Sequence, residues 1–127
     1  MRRDWPAALL AVVAVGFVVL GLYEAWSDAP TFDEPVYVAS GLAGILHHDV
    51  SLNDEHPPLP KLLAALPALF AHPVIPSDGD WDRNNERTYS ARFAAAQLHA
   101  GKLRSVTMAS RVVPLLEAVA LAAWCGR

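Results

Sequence analysis

The sequence predicts an all-α membrane protein in which two transmembrane helices are joined by an extracytoplasmic loop with short juxtamembrane amphipathic helices. Apolar residues make up 54 % of the 127 residues, above the roughly 45–50 % of soluble domains, and they concentrate near the two ends of the chain. Between the ends lies a polar, proline-containing region in which apolar residues recur at helical spacing. The chain therefore divides into a cytoplasmic head at 1–4, a transmembrane helix at 5–23, a loop at 24–104 and a second transmembrane helix at 105–127.

The first apolar stretch contains no charged residue between Trp5 and Tyr23. Nineteen helical residues rise roughly 28 Å, close to the hydrocarbon thickness of a bilayer. Trp5 and Tyr23 fall where aromatic side chains prefer the membrane interfaces. Because Arg2 and Arg3 precede the stretch, we expect the amino terminus to be cytoplasmic.

A cleaved signal peptide is the alternative for this first stretch. The basic head, the apolar segment and the small residues near Ala25 and Ser27 are compatible with one. However, the apolar region of a signal peptide usually spans about 7–15 residues. The greater length of this stretch favours an uncleaved anchor.

The second apolar stretch, 112–125, is interrupted by Pro114 and Glu117. We interpret it as part of a membrane helix that is entered from Arg111, although runs of this length are often buried or interfacial. A carboxylate inside lipid must face protein or water. Glu117 therefore implies helix partners.

Three short helices are predicted in the loop. The first begins at 33–35, where an acid at the N-cap and Pro35 in the first turn are both favoured. The second begins at Pro58 or Pro60 and is bent by Pro67, and its apolar face suits the membrane surface. The third lies within 85–100 and carries three residues on one face: Tyr89, Phe93 and Gln97.

Asp33 and Glu34 form the first candidate site. The positive end of a helix dipole keeps such carboxylates ionised, and an ionised carboxylate close to an acceptor hydroxyl can act as a general base. The structural alternative is helix capping, since acids are common at N-caps.

The segment 55–61 is the second candidate site, with Glu55, His56 and Lys61 around a rigid Pro57-Pro58 corner. The amides at the start of the following helix can bind an anion, and Lys61 adds a point charge one turn later. This arrangement predicts a phosphate site. A proline-stiffened loop with a surface lysine is an equally simple interpretation.

A divalent metal site was the third possibility. Imidazole and carboxylate groups are good zinc ligands, but adjacent histidines seldom face one metal, so surface histidines are the better interpretation. The acidic run at 78–82 resembles a calcium loop, yet Arg83 and Tyr89 occupy the positions of the required glycine and glutamate. The candidate ligands of the first, zinc-type site are His47, His48, Asp49, Glu55 and His56.

Charge and cysteine content exclude two further classes. The net charge is −3 with scattered Lys and Arg, so the sequence has no basic surface for nucleic acid. The single Cys125 excludes an internal disulfide framework and a paired-cysteine metal site.

The order of these parts resembles the amino terminus of GT-C glycosyltransferases, most closely the protein O-mannosyltransferase and aminoarabinose-transferase group. A membrane helix is followed by Phe32-Asp33-Glu34-Pro35-x-Tyr37, then by Asn53-x-Glu55-His56-Pro57-Pro58-Leu59-x-Lys61, and then by a helix opening with Ser110-Arg111. The resemblance covers essentially the whole chain. It is strongest over 32–69 and weak over 72–102.

The resemblance implies an integral enzyme of the cell membrane that transfers a sugar from a polyprenyl-phosphate carrier to an acceptor hydroxyl with inversion. The acceptor is a protein, a glycan or a lipid. No cofactor is expected, and the sequence leaves the use of a divalent metal open. Asp33 matches the catalytic base and Glu34 the neighbour that holds the site. His56, Lys61 and Arg111 match positions near the donor phosphate.

The number of membrane helices departs from this group, because its members have around a dozen and only two are predicted here. We therefore expect this chain to be an amino-terminal piece that is inactive by itself. The alternative from another class is a small membrane-anchored accessory or binding protein without catalysis. For Arg111, an interface anchor, a phosphate ligand and a partner of Glu34 are equally compatible with the sequence.

Overall fold

The computed structural model describes residues 5–76 and 85–125, which form five α-helices and no β-strand. These are α1 (Trp5–Ser27), α2 (Glu34–His47), α3 (Pro58–Phe70), α4 (Glu86–His99) and α5 (Leu103–Cys125). The predicted all-α class is confirmed for this part of the chain. The head at 1–4 and the acidic run at 78–82 lie outside the described residues.

Among the described residues, α1 and α5 are long and apolar enough to cross a membrane. Their bounds differ slightly from the predicted ones, since α1 continues past Tyr23 to Ser27 and α5 begins at Leu103. α1 buries no residue in the protein. Its close approach to α5 occurs at Gly21, where a Cβ atom would overlap the Leu115 side chain.

α2 is the central helix, and it packs against α3, α4 and α5. It begins next to Pro35, whose fixed φ suits the first turn, and it ends at His48, which has a left-handed conformation with φ of 56°. At Gly41 the two helices α2 and α3 cross so closely that a Cβ atom would overlap the Lys61 carbonyl oxygen. The core combines ten residues from these four helices and from the loop between α2 and α3: Val38, Ala39, Leu42, Ala43, Leu52, Ala65, Ala68, Tyr89, Phe93 and Val106.

α3 faces the protein with small side chains and leaves large apolar ones outside. Its buried residues are Lys61, Ala65 and Ala68, whereas Phe70 remains 86 % exposed and Leu59 and Leu66 are also exposed. The short side chains of Ala65 and Ala68 permit the close crossing with α2, whereas Leu59, Leu66 and Phe70 point away from the core.

α4 buries the predicted face, because Tyr89, Phe93 and Gln97 are each at most 2 % exposed. The Gln97 amide also holds the segment that follows α3. Its Oε1 accepts from the Val74 N–H at 2.9 Å, and its Nε2 donates to the Val74 carbonyl at 2.6 Å. This pair of bonds fixes residues 72–76 against α4.

Candidate functional site

Asp33 is the N-cap residue of α2, but its side chain makes no capping hydrogen bond. The backbone carbonyl of Asp33 accepts from the Tyr37 N–H at 3.0 Å, which starts the helix. The carboxylate itself is exposed. Helix capping therefore does not occupy the acid that the sequence offers as a base.

The Asp33 carboxylate borders a small cavity of about 90 Å³, the Asp33 cavity. His56, which is 23 residues further along the chain, also lines this cavity, as do the two acids Glu55 and Glu86. Its walls come from the start of α2, the loop before α3 and the first turn of α4. The lining residues are Phe32, Asp33, Val36, Tyr37, Asn53, Glu55, His56, Glu86 and Arg87.

His56 is exposed at the edge of this cavity, in the loop that leads into α3. Its imidazole packs edge-on against the Tyr37 ring, with the ring centroids 5.3 Å apart and the planes at 66°. Tyr37 lies one turn after Asp33 on α2, and residues at that spacing share a helix face. The aromatic contact thus holds His56 on the Asp33 side of the helix.

Lys61 lies inside the protein and is 2 % exposed. Its Nζ donates to Asn53 Oδ1 at 2.9 Å and also to the Asn53 backbone carbonyl. Asn53 Nδ2 in turn donates to Glu86 Oε2 at 2.5 Å. Lys61 is absent from the lining of the Asp33 cavity, and it reaches that cavity through Asn53 and Glu86.

Burial lowers the pKa of the Lys61 ammonium, and the charges of Glu86 and Asp54 partly oppose this shift. Desolvation disfavours the charged form of an amine, whereas a nearby carboxylate favours it. The direction of the shift fits an ammonium that is held by neutral acceptors within the fold.

Glu34 and Arg111 form a two-point ion pair. Arg111 Nε donates to Glu34 Oε1 and Arg111 Nη2 donates to Glu34 Oε2, each at 2.8 Å. Glu34 Oε2 also accepts from the Thr31 N–H at 3.0 Å. Of the three interpretations that the sequence left open for Arg111, the structure shows the partnership with Glu34.

Arg111 also donates to backbone carbonyls at the end of α1. Its Nη1 donates to the Ala25 carbonyl at 2.7 Å and the Asp28 carbonyl at 3.1 Å, and its Nη2 donates to the Ala29 carbonyl at 3.1 Å. The carbonyls at a helix carboxyl end lack partners in the helix. Arg111 thus joins α5 to the end of α1 and the start of α2.

The adjacent acids consequently belong to different surroundings. Successive residues on a helix point about 100° apart, and Glu34 borders a separate cavity of about 410 Å³ with Arg111 between α1 and α5. The structure therefore brings together Asp33 and His56, and separately Glu34 and Arg111. Lys61 joins neither group directly.

Sequence reasoning missed Asn53, Glu86 and Arg87. Asn53 stands at the start of the motif that ends at Lys61, but nothing in the sequence says that it accepts from that lysine. Glu86 and Arg87 open α4, where an acid indicates only a helix start. Their approach to Asp33 depends on how α4 packs on α2, which local patterns do not encode.

Within 5–76 and 85–125, no three His, Cys, Asp or Glu side chains lie close enough together to hold a metal ion. The candidate ligands His47, His48, Asp49, Glu55 and His56 therefore do not form a cluster of three in the structure. The Asp33 cavity combines the exposed Asp33 carboxylate with two further carboxylates, an imidazole and a guanidinium.

Comparison of the chain with protein-family models, with curated proteins and with solved structures finds no match.

Proposed function

We propose that this chain forms the amino-terminal catalytic module of an integral-membrane glycosyltransferase, which transfers a sugar from a polyprenyl-phosphate carrier to an acceptor hydroxyl. The observation that supports this proposal is the shared cavity of Asp33 and His56. It combines a carboxylate that is free of capping duty with a corner that the sequence resemblance associates with the donor.

In this mechanism Asp33 is the general base. Its carboxylate takes the proton of the acceptor hydroxyl, and the hydroxyl oxygen attacks the anomeric carbon of the donor sugar. The bond between that carbon and the phosphate oxygen breaks, and the electron pair leaves with the lipid phosphate. Attack opposite the leaving group inverts the anomeric configuration.

The other residues of the resemblance take supporting parts in this proposal. His56, which borders the cavity, contacts the donor in this proposal. Glu34 and Arg111 fix the start of α2, and with it the position of Asp33. Lys61 holds Asn53, which holds Glu86 at the cavity wall.

The same proposal places α1 and α5 across the cell membrane, with residues 24–104 on the extracytoplasmic side. Two features support this arrangement. α1 buries no residue in the protein, and α3 presents Leu59, Leu66 and Phe70 outwards, as a helix resting on a membrane surface does. Transfer would then occur at the lipid boundary, where the carrier lies.

The test is replacement of Asp33 by Asn in the longer protein that we propose to contain this module, assayed in membranes from cells that express that protein. The substrate is a radiolabelled polyprenyl-phosphate sugar, and the readout is label transferred to endogenous acceptors. Loss of a general base costs roughly 10²–10⁴-fold in rate. Asp54→Asn is the matched control, since Asp54 is exposed and outside the cavity lining.

We expect Asp33→Asn to lower the rate of transfer by roughly 10²–10⁴-fold while the protein level and the helical circular dichroism stay unchanged. Asp54→Asn should transfer normally. Equal activity of the two variants would remove Asp33 from the role of base. Absence of transfer in the unmodified protein, with retained binding to a partner, would instead favour an accessory protein without catalysis.

A further inference from the structure

A second, apolar cavity of about 290 Å³ adjoins the Asp33 cavity; we call it the Ser90 cleft. Phe32, Val36 and Arg87 line both spaces. The other walls of the cleft are the linker between α1 and α2, one face of α4 and Leu103 at the start of α5. Two spaces of opposite character thus meet at three shared side chains.

The cleft has a clear chemical character. Of the described residues that line it, Arg87 alone carries a charge, and most of the others are apolar. The three carboxylates of this region, Asp33, Glu55 and Glu86, line the neighbouring cavity instead. An anion at Arg87 therefore meets less repulsion on the cleft side.

Ser90 supplies an independent sign of a ligand. It lies one helical turn after Arg87, on the same face of α4, and it is 2 % exposed. Its hydroxyl lacks a hydrogen-bond partner within the described part of the chain. Leaving a buried hydroxyl unpaired costs free energy, and a ligand oxygen entering the cleft would satisfy it.

The two cations that the sequence assigned to the donor phosphate are already engaged. Lys61 is buried and donates to Asn53. Arg111 donates to Glu34 and to three backbone carbonyls. Arg87, by contrast, is exposed and lies where the two cavities meet.

From this geometry we propose that Arg87 binds the phosphate of a prenyl phosphate whose apolar chain occupies the Ser90 cleft. The assignment rests on the proposed function, and it puts the sugar on the Asp33 side of Arg87 and the lipid on the other side. A guanidinium can pair with two phosphate oxygens at once. The Ser90 hydroxyl donates to an oxygen of the same phosphate.

The experiment measures binding without transfer. The full chain is reconstituted in phosphatidylcholine nanodiscs, radiolabelled geranyl phosphate is the probe, and empty nanodiscs give the background from partitioning into lipid. Geraniol and inorganic phosphate are tested as competitors. Arg92→Ala is the matched control, because it removes the same charge from an exposed position of α4 that lines neither cavity.

We expect Arg87→Ala to weaken geranyl phosphate binding roughly ten- to a hundredfold, the effect of losing hydrogen bonds between charged groups, and Arg87→Lys to weaken it less. Arg92→Ala should bind like the unmodified chain. Ser90→Ala should lower affinity a few-fold without lowering thermal stability, since the hydroxyl is unpaired in the free protein. Ala91→Phe, which narrows the cleft, should also weaken binding.

Three results would overturn the assignment. If Arg87→Ala binds normally while Lys61→Met or Arg111→Met loses binding, the phosphate lies elsewhere and the glycosyltransferase proposal survives. If inorganic phosphate or geraniol competes as well as geranyl phosphate, the joint recognition of head and chain is wrong. If the unmodified chain binds no geranyl phosphate above background, the assignment and the donor class both fail.

Discussion

The ion pair between Glu34 and Arg111 gives the sharpest prediction about how this fold is held together. The side chains are 27 % and 13 % exposed, respectively, so the pair lies between an exposed and a buried one. Exposed pairs contribute about 0.2–1 kcal/mol, whereas removing one partner of a buried pair costs about 3–5 kcal/mol. Two parallel bonds at 2.8 Å favour a coupling energy above that of exposed pairs, and the partial exposure keeps it below the cost of breaking a buried pair.

We therefore expect a coupling energy of about 1–2 kcal/mol between the two side chains. The Arg111→Met variant should lose more than this, about 3 kcal/mol, because three carbonyl oxygens also lose a donor. Glu34→Gln should lose less, since the amide still accepts one bond. The stability lost in a single variant also includes the cost of the groups left unpaired. Only a double-mutant cycle isolates the coupling energy of the pair.

The assay is a double-mutant cycle with Glu34→Gln, Arg111→Met and the double variant, unfolded by SDS titration in mixed micelles and followed by far-ultraviolet circular dichroism. Arg104→Met is the control. The Arg104 guanidinium lies 5.0 Å from the Trp26 ring centroid, and such an exposed contact contributes about 0.5–1 kcal/mol. A coupling below about 0.5 kcal/mol, or an equal loss in the control, would refute the role of this pair as the tie between α1, α2 and α5.

Three further predictions concern the core. Gly41→Ala should destabilise the protein by about 1–3 kcal/mol through overpacking against the Lys61 carbonyl. Gly16→Ala is the control, because open space surrounds Gly16, and an equal change in unfolding temperature in the two variants would contradict the close crossing of α2 and α3. Gln97→Leu should leave the Val74 N–H and C=O groups unpaired, and each unpaired group should lower the free energy of opening the segment after α3 by about 1–3 kcal/mol. Protease should then cleave this segment faster, and unchanged cleavage rates would argue against a stabilising role for the two Gln97–Val74 hydrogen bonds. The pKa of Lys61 is lowered in the folded state, so the folded protein releases this proton at a lower pH than the unfolded chain. The free energy of unfolding should therefore increase with pH between that lowered value and the ordinary value of 10.5. Lys61→Met should remove this pH dependence, and an unchanged dependence would contradict the burial of Lys61.

The helices could be predicted from the sequence because their signals are local. Three such signals are the apolar stretch at 5–23, the prolines in the first turns of α2 and α3, and the face formed by Tyr89, Phe93 and Gln97. Each depends on neighbours within one or two turns. All three appear in the structure at nearly the expected places. Only the ends moved, as with α1, which continues to Ser27.

The side-chain partners could not be predicted in the same way. Lys61 reads as a surface charge at a helix start, but the crossing of α3 over Gly41 turns that position inward. Small residues at 65 and 68 allow this crossing, and they are not prominent in a pattern dominated by leucines. Glu86 and Arg87 reach the Asp33 cavity only because α4 packs on α2.

The two adjacent acids of the candidate site differ in their hydrogen bonding, and this difference bears on the chemistry of the site. Both carboxylate oxygens of Glu34 are engaged, since the side chain accepts two bonds from Arg111 and one from the Thr31 N–H. These bonds fix the start of α2 without using Asp33, whose side chain is left without a capping bond. A general base needs a carboxylate that is both held in position and free to take a proton. In the proposed mechanism this need is met because Glu34 holds the start of α2 while the Asp33 carboxylate remains open to the cavity.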